Sequence, residues 1–339
     1  FDVGTGDLVS YLRKKGYTVY GAGAGEKLEF NRKLMREIVD KVKLPQVKYE
    51  IIEGVSNLRK YLVDKKDKYI KLNIFRGDLE TFYFVDYKSS ITILDDIETA
   101  LGPFKEKFLF IVEDKLEGVE VGFDLYFNGK DYLRPYLYGY EYHSGYIGVV
   151  TNELPEPVKL VADKLKPILQ KLDYRGAISS EMIVDKNRNP YLIDLTCRYP
   201  YPLSLLYTEA IKNYTEVIYK IARGEDVNIN WVSKYVALTP LASEYAREHW
   251  LPINFPLKFR NSYKFSISAR LNDNYFAVKG STHPVNIIVL DNEIKSLLKK
   301  IKFLTKQISG HSLESTEILG GLYTIEQEIR EGEQLGLKF

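Results

Sequence analysis

The chain has 339 residues, too many for one small core and enough for two or three lobes. Hydrophobic residues make up 45% and charged residues 28%, and the net charge of +2 gives no field that would make nucleic acid its main partner. One cysteine, Cys197, excludes an internal disulfide framework and a cysteine-built zinc site and fits the reducing cytoplasm, while no apolar run approaches the ~20 residues needed to cross a bilayer.

Residues 7–15 (DLVSYLRKK) predict a short amphipathic helix closed by Gly16, and TVYGAGAG then predicts a strand running into a glycine turn. That pair is the tail of a βαβ-type unit, so residues 1–25 are expected to be the remnant of a Rossmann-like lobe. The chain opens at Phe1 rather than Met, which leaves room for a preceding segment. A second helix is predicted over 27–43, ending before Leu44-Pro45. Between 46 and 113 the pattern gives a strand, a helix at 56–65, strands at KYIKLNI and TFYFVDY, a helix at 92–101, and the strand KFLFIVED. Alternation dominates from 119 to 150, where VEVGFDLYFNGK is a strand entering an Asn128-Gly129 turn. A helix at 156–172, a hairpin over 178–200 and a helix at 203–222 complete a unit spanning 26–230. After Trp231 strands prevail (KFSISARL, YFAVKG, VNIIVL), with a basic helix at 292–307 and an acidic one at 324–333, so 231–339 is expected to be a β-rich C-terminal lobe.

Three stretches carry candidate chemistry. In KYIKLNIFRGDLE, Lys71 stands in an apolar strand ahead of a glycine-containing turn. Its ammonium, with Arg76 and the turn amides, suits phosphate oxygens; a lysine snorkelling from an edge strand is the alternative. In FLFIVEDKLEGVEV, an apolar strand breaks at Glu113-Asp114-Lys115-Leu116. Free main-chain groups at such a break can pair with an adenine edge, or the stretch is a loop with a polar tip. In ISSEMIVDKNRNPYLIDLTCRYP, two strands flank a turn, yet Glu181 and Asp194 interrupt their apolar pattern. Thr196 shares the face of Asp194, and Arg198 follows on that face. Hard oxygen ligands on neighbouring strands are what Mg²⁺ takes, with phosphates completing its shell, and Arg198 would clamp a transferring phosphoryl group. A solvated strand face with incidental charge is the competing reading.

The order of these pieces resembles the ATP-grasp superfamily, and within it phosphoribosylamine–glycine ligase and relatives encoded by tailed bacteriophages. The resemblance spans about Tyr17 to Ile221, anchored on KLEFNRKLMREIVDKVKLP, FIVEDKLEGVEVGFDLYFNG and LDYRGAISSEMIVDKNRNPYLIDLTCR. It implies an α/β and α+β multidomain ATP-grasp fold, with a smaller subdomain near 46–113. By resemblance, Lys71 and Arg32 contact the nucleotide phosphates, the main chain of Glu113 to Leu116 holds adenine, and Glu120 lies near the nucleotide. Asp194 matches a glutamate bridging two Mg²⁺ ions, Glu181 a second carboxylate, and Arg198 the arginine of the reaction centre.

Three departures stand out: Thr196 where the pattern has Asn, the shorter acid Asp194 where it has Glu, and the short loop IFRGDLE after Lys71. The chemistry implied is ATP- and Mg²⁺-dependent joining of a carboxylate to an amine through an acylphosphate. The alternative implied by the departures is an inactive, nucleotide-binding or scaffolding relative. RPYLYGYEYHSGYIGVV stands where the family carries a substrate-facing loop, with Arg134, Glu141, His143 and Ser144 among its tyrosines. It reads equally as a tyrosine-rich packing surface. No Lys or Arg inside the hairpin strands is placed to neutralise both acids, which leaves Arg198 and a metal as their partners, and Asp194→Asn is expected to abolish phosphoryl transfer with little change in stability, because the lost repulsion offsets the lost attraction in the metal-free state.

Overall fold

A computed structural model describes residues 4–74, 81–142, 145–272, 274–314 and 316–339. The N-terminal segment holds helix α1 (Gly6–Lys14), then α2 (Lys27–Phe30) and α3 (Arg32–Lys41). The single helix predicted over 27–43 is thus two. Asn31 leaves helical geometry at φ −131° and its side chain accepts from the Leu34 amide at 2.9 Å, so it caps α3. The strand predicted in TVYGAGAG is also absent. Arg13 takes the Val19 and Gly21 carbonyls with its own N–H groups, and only Gly21 bridges to Arg175.

Strands β1 (Tyr49–Glu53), β2 (Lys68–Leu72), β3 (Thr81–Phe84) and β4 (Leu109–Asp114) form an antiparallel sheet in the order β1-β4-β2-β3. Helices α4 (Val55–Leu62) and α5 (Ile91–Leu101) cover one face, where Leu58, Leu62, Ile70, Phe84, Leu94 and Phe110 make its core. Period-two alternation puts Ile70 and Leu72 on that face and leaves Tyr69 and Lys71 on the other.

The second sheet has eight strands in the order β12-β15-β10-β7-β6-β5-β8-β9. In chain order they are β5 (Val119–Asn128), β6 (Tyr136–Tyr142), β7 (Gly145–Thr151), β8 (Arg175–Val184), β9 (Pro190–Thr196), β10 (Tyr235–Leu241), β12 (Tyr263–Phe265) and β15 (Val285–Asp291). A three-stranded sheet holds β11 (Leu251–Ile253), β13 (Ser268–Leu271) and β14 (Asn274–Ala277). The C-terminal strands extend the middle segment's sheet: β10 pairs with β7, Tyr235 opposite Val149. Helix α6 (Glu156–Lys171) packs on one face of the large sheet, with α10 (Ile294–Thr305) and α11 (Thr316–Gln334). The other face is covered by α7 (Ser204–Ala210) and α8 (Tyr214–Arg223) around Tyr126, Leu206, Tyr207 and Val217. The helix predicted at 203–222 breaks between them, where Ile211 bridges to Trp231. Among the described residues no helix is long and apolar enough to cross a membrane.

The tyrosine-rich segment read as a substrate loop is the β6–β7 hairpin. Tyr138, Tyr140 and Tyr146 are buried in it, so packing is the role of most of its rings. Its glycines look like loop punctuation but serve close approach. Gly122, Gly139 and Gly148 lie side by side across β5, β6 and β7, and a Cβ at Gly139 would run into the Ile147 carbonyl and the Tyr146 ring.

Candidate active site

Register places the candidate carboxylates. Glu181 on β8 lies directly opposite Asp194 on β9, and Ser179 opposite Thr196. Gly122 is opposite Gly139 and Asp124 opposite Ser179, so Glu120, Glu141, Glu181 and Asp194 stand on one face of four adjacent strands. Residues directly opposite in an antiparallel pair share a face, and a one-residue slip would invert the whole set. The small sheet closes over this face from the side of β2 and β4.

The resulting cleft, of about 250 Å³, is lined by Tyr69, Lys71, Leu116, Glu120, Glu181 and Asp194, with Glu113 beside Lys71. Lys71 is 3% exposed on a central strand, so the snorkelling edge lysine does not describe it. Its ammonium donates to the Ile193 carbonyl at 3.2 Å and lies 3.4 Å from Glu113 and 3.8 Å from Asp194. Arg32 reaches Asp194 Oδ2 through Nε and Nη2, each at 3.1 Å, and the Leu72 carbonyl through Nη1. Asp194 Oδ1 accepts from the Leu195 amide at 3.0 Å. Burial alone would raise the Asp194 carboxyl, but Lys71 and Arg32 hold it below its usual range. Two cations from outside the hairpin therefore neutralise Asp194.

Glu181 differs. Among the described residues its carboxylate has no hydrogen-bond or ion-pair partner, and burial, then the charge of Asp194, pushes its pKa up to about 7. A buried carboxylate in that condition fits a cation, and Mg²⁺ needs only one or two protein carboxylates when phosphates supply further oxygens. Among the described residues, no group of three or more His, Cys, Asp or Glu side chains could hold a metal by itself. Glu120 is likewise raised by burial, opposed by Lys71.

On the far side of Glu181 lies a second hollow of about 250 Å³, bordered by Glu141, Tyr146, Thr196, Arg198, Tyr201 and Leu203. Glu181 thus belongs to both cavities. Arg198 pairs with Glu29 through Nε at 2.9 Å, and Glu29 also accepts from the Cys197 amide at 2.8 Å. Burial raises the Glu29 carboxyl and Arg198 opposes that. Asp124 is buried behind this hollow, raised by burial, and accepts from the Tyr207 hydroxyl at 3.0 Å.

Not every expected residue reaches the cleft. Lys115 turns outward, its ammonium 5.3 Å from the centre of the Tyr83 ring. Arg134 is exposed at the opposite end of β6 from Glu141 and donates to the Tyr136 hydroxyl at 2.9 Å. Arg76, His143 and Ser144 lie outside the described residues. Two residues not singled out in the sequence are central. Arg36, 1% exposed, donates to Glu113 at 2.7 Å and to the Leu192 and Ile193 carbonyls at 2.7 and 2.8 Å, tying β4 to β9. Glu29 does the same for Arg198. The available signal was the spacing Arg32–Arg36, one helical turn apart in NRKLMRE.

A wider hollow of 640 Å³ lies beside Arg13, Lys171, Arg175 and Arg223, and its three arginines are engaged in the fold. Helices α1, α6 and α8 end there, and Arg13 and Arg175 donate to the Asp173 and Ala222 carbonyls.

No known family profile matches the sequence, and no curated protein does. Solved structures do. Phosphoribosylamine–glycine ligase from Thermotoga maritima superposes with a TM-score of 0.64 at 14% identity, over 87% of this chain and 80% of that one. The biotin carboxylase domain of 2-oxoglutarate carboxylase from Hydrogenobacter thermophilus, solved with MgADP, ADP and bicarbonate, gives 0.65 at 13% identity, over 96% and 79%. An L-amino acid ligase from Bacillus licheniformis gives 0.56 at 13% identity, over 85% and 73%. At these identities the likeness establishes the fold: the chain has the ATP-grasp fold.

Proposed function

We propose that the chain is an ATP- and Mg²⁺-dependent cytoplasmic ligase that joins a carboxylate to an amine through an acylphosphate, with substrates of its own. The observation that carries this reading is the meeting of two cavities at Glu181, whose carboxylate has no partner among the described residues, with Lys71 and Arg32 on one side and Arg198 on the other. In this reading the nucleotide takes the first cavity. Its adenine lies against the main chain from Glu113 to Leu116, and its phosphates run past Glu120 toward Lys71 and Arg32. Mg²⁺, when bound, lowers the charge on the phosphate oxygens, and Glu181 is the residue placed to hold it, with Asp194 and Thr196 beside it. Arg198 stands where charge collects on the phosphoryl group in transit.

The chain's own contribution is position and fixed charge, with no covalent nucleophile. Cys197 does not serve as one, since burial pushes its thiol well above the usual range. The proposed ATP-grasp unit is 26–230, with 46–113 as its smaller part and 231–339 extending the large sheet. A second reading, a nucleotide-binding relative without turnover, is favoured by the engagement of both Asp194 oxygens by Arg32, Lys71 and the Leu195 amide.

Calorimetric titration with ATP, with and without Mg²⁺, followed by ADP release across a panel of acids and amines, separates the readings. The ligase reading expects Mg²⁺-strengthened binding, at most about one equivalent of ADP from the acid alone as the acylphosphate forms, and sustained ADP release when an acid and an amine are both present. Binding without turnover across the panel would leave the second reading, and no ATP binding would sink both.

A further inference from the structure

The second cavity has a charge of its own. Glu141 on β6 and Glu181 on β8 both line it, and among the described residues neither has a hydrogen-bond or ion-pair partner. The charges acting on Glu141 are those of Glu181, Asp124 and Glu120, and with burial as the leading cause they push its carboxyl well above the usual range. Arg198, the cation at the rim, already faces Glu29 at 2.9 Å. On β5, the strand between them, Gly122 adds no side chain to the floor, and the register brings Glu120 beside Glu141. The Tyr146 hydroxyl is a third polar group here: the residue is 3% exposed, lines the cavity and sits directly opposite Glu141. Its hydroxyl is near enough to Asp124 to donate toward that carboxylate, and its oxygen accepts no hydrogen bond among the described residues. Leu203, Leu238 and the Tyr201 ring form the apolar side.

An ammonium group has three N–H donors and no acceptor, and this cavity offers two carboxylates and a hydroxyl oxygen that accept no hydrogen bond among the described residues. A cation seated here draws both raised carboxyls back toward ionisation, whereas a carboxylate or bicarbonate pushes them further up, and among the described residues lining the cavity Arg198, already facing Glu29, is the cation that would oppose that. We infer that this cavity receives the amine substrate as a cation, a primary ammonium seated among Glu141, Glu181 and Tyr146 with its carbon body against Leu203, Leu238 and Tyr201. Glu141 is then the residue that selects the nucleophile by charge. At about 250 Å³ the cavity has room for the body of a small amine. The role as substrate rests on the ligase reading; the binding itself does not.

The test uses the full chain without nucleotide, in EDTA so that no divalent cation competes, titrated with n-butylammonium chloride and with sodium butyrate. Butylammonium binds, and butyrate binds at least about tenfold more weakly. Glu141→Gln lowers butylammonium affinity about tenfold or more and leaves ATP affinity within about twofold. Should that variant fail to fold, Leu203→Trp, which fills the apolar side, gives the same loss. The inference is overturned if butyrate binds in preference, if neither probe binds at about 100 mM, or if both variants bind butylammonium as the parent does. Failure of ATP to bind would sink the ligase reading and leave this result standing.

Discussion

Replacing Asp194 by Asn separates the site's architecture from its chemistry. The carboxylate, 16% exposed, lies 3.1 Å from Arg32 and 3.8 Å from Lys71, whose side chains are 6% and 4% exposed. Removing one partner from a buried ion pair typically costs about 3–5 kcal/mol, because the remaining charge is stranded. Two effects reduce that here. Asn keeps a carbonyl oxygen toward Arg32, and Glu181 loses the like charge that, after burial, raises its pKa to about 7. Allowing about 1–2 kcal/mol for both leaves a net loss of about 1–4 kcal/mol. At roughly 2–4 °C per kcal/mol for a unit of this size, the melting temperature should fall by roughly 2–16 °C. The sequence alone led to the opposite expectation, little change, because the neutralising cations come from α3 and β2 rather than from the hairpin. Differential scanning calorimetry at pH 7.5 in EDTA reads the shift directly. The sign for pH also follows: a carboxyl held below its usual range stabilises above its unfolded pKa, and that contribution is lost as pH falls through the folded value. A variant as stable as the parent, or more so, would refute the ion-pair account.

Lys71→Met should weaken ATP binding about tenfold to a hundredfold, since a charged donor is typically worth ~1.5–3 kcal/mol; titration with the fold verified by circular dichroism is the check. Arg36→Met should destabilise more than Asp194→Asn, by about 3–5 kcal/mol, because it strands Glu113 and two β9 carbonyls; urea denaturation measures it. Glu328 on α11 has a buried, unpartnered Oε2 and a pKa raised to about 7 by burial, Glu120 and Glu331. A carboxyl raised by folding favours the folded state below its unfolded pKa, and that advantage is lost as pH rises through the folded one. Glu328→Gln should therefore raise the melting temperature at pH 8 relative to the parent, with the gain vanishing near pH 5.

The legible parts of this molecule were those set by local pattern. Runs of apolar residues around DKNRNP announced the hairpin, but alternation alone would put Asp194 on the face of Leu192; a register shift between Glu181 and Met182 is what brings Asp194 opposite Glu181. Alternation in KYIKL set Lys71 opposite the apolar face of its sheet. What the sequence hid was long-range partnership. Glu113 meets Arg36 across 77 residues and Arg198 meets Glu29 across 169, and nothing local announces either. The β6–β7 hairpin was hidden for another reason. Glycines that permit three strands to approach closely carry the same signature as glycines in a loop, and what distinguishes them is non-local: the Tyr146 ring over Gly139 and Gly148, and the Ser180 carbonyl against Gly122. Sheet membership is non-local as well, so strands after Trp231 looked like a separate layer while β10 pairs with β7.

A crystal structure with a non-hydrolysable ATP analogue and Mn²⁺, recorded at a wavelength where manganese scatters anomalously, tests the central claim most directly. The account predicts nucleotide between the small sheet and the β8–β9 hairpin, phosphate oxygens within hydrogen-bond reach of Lys71, and an anomalous peak in coordination contact with Glu181. Nucleotide bound elsewhere, or a peak with no contact to Glu181, would contradict it.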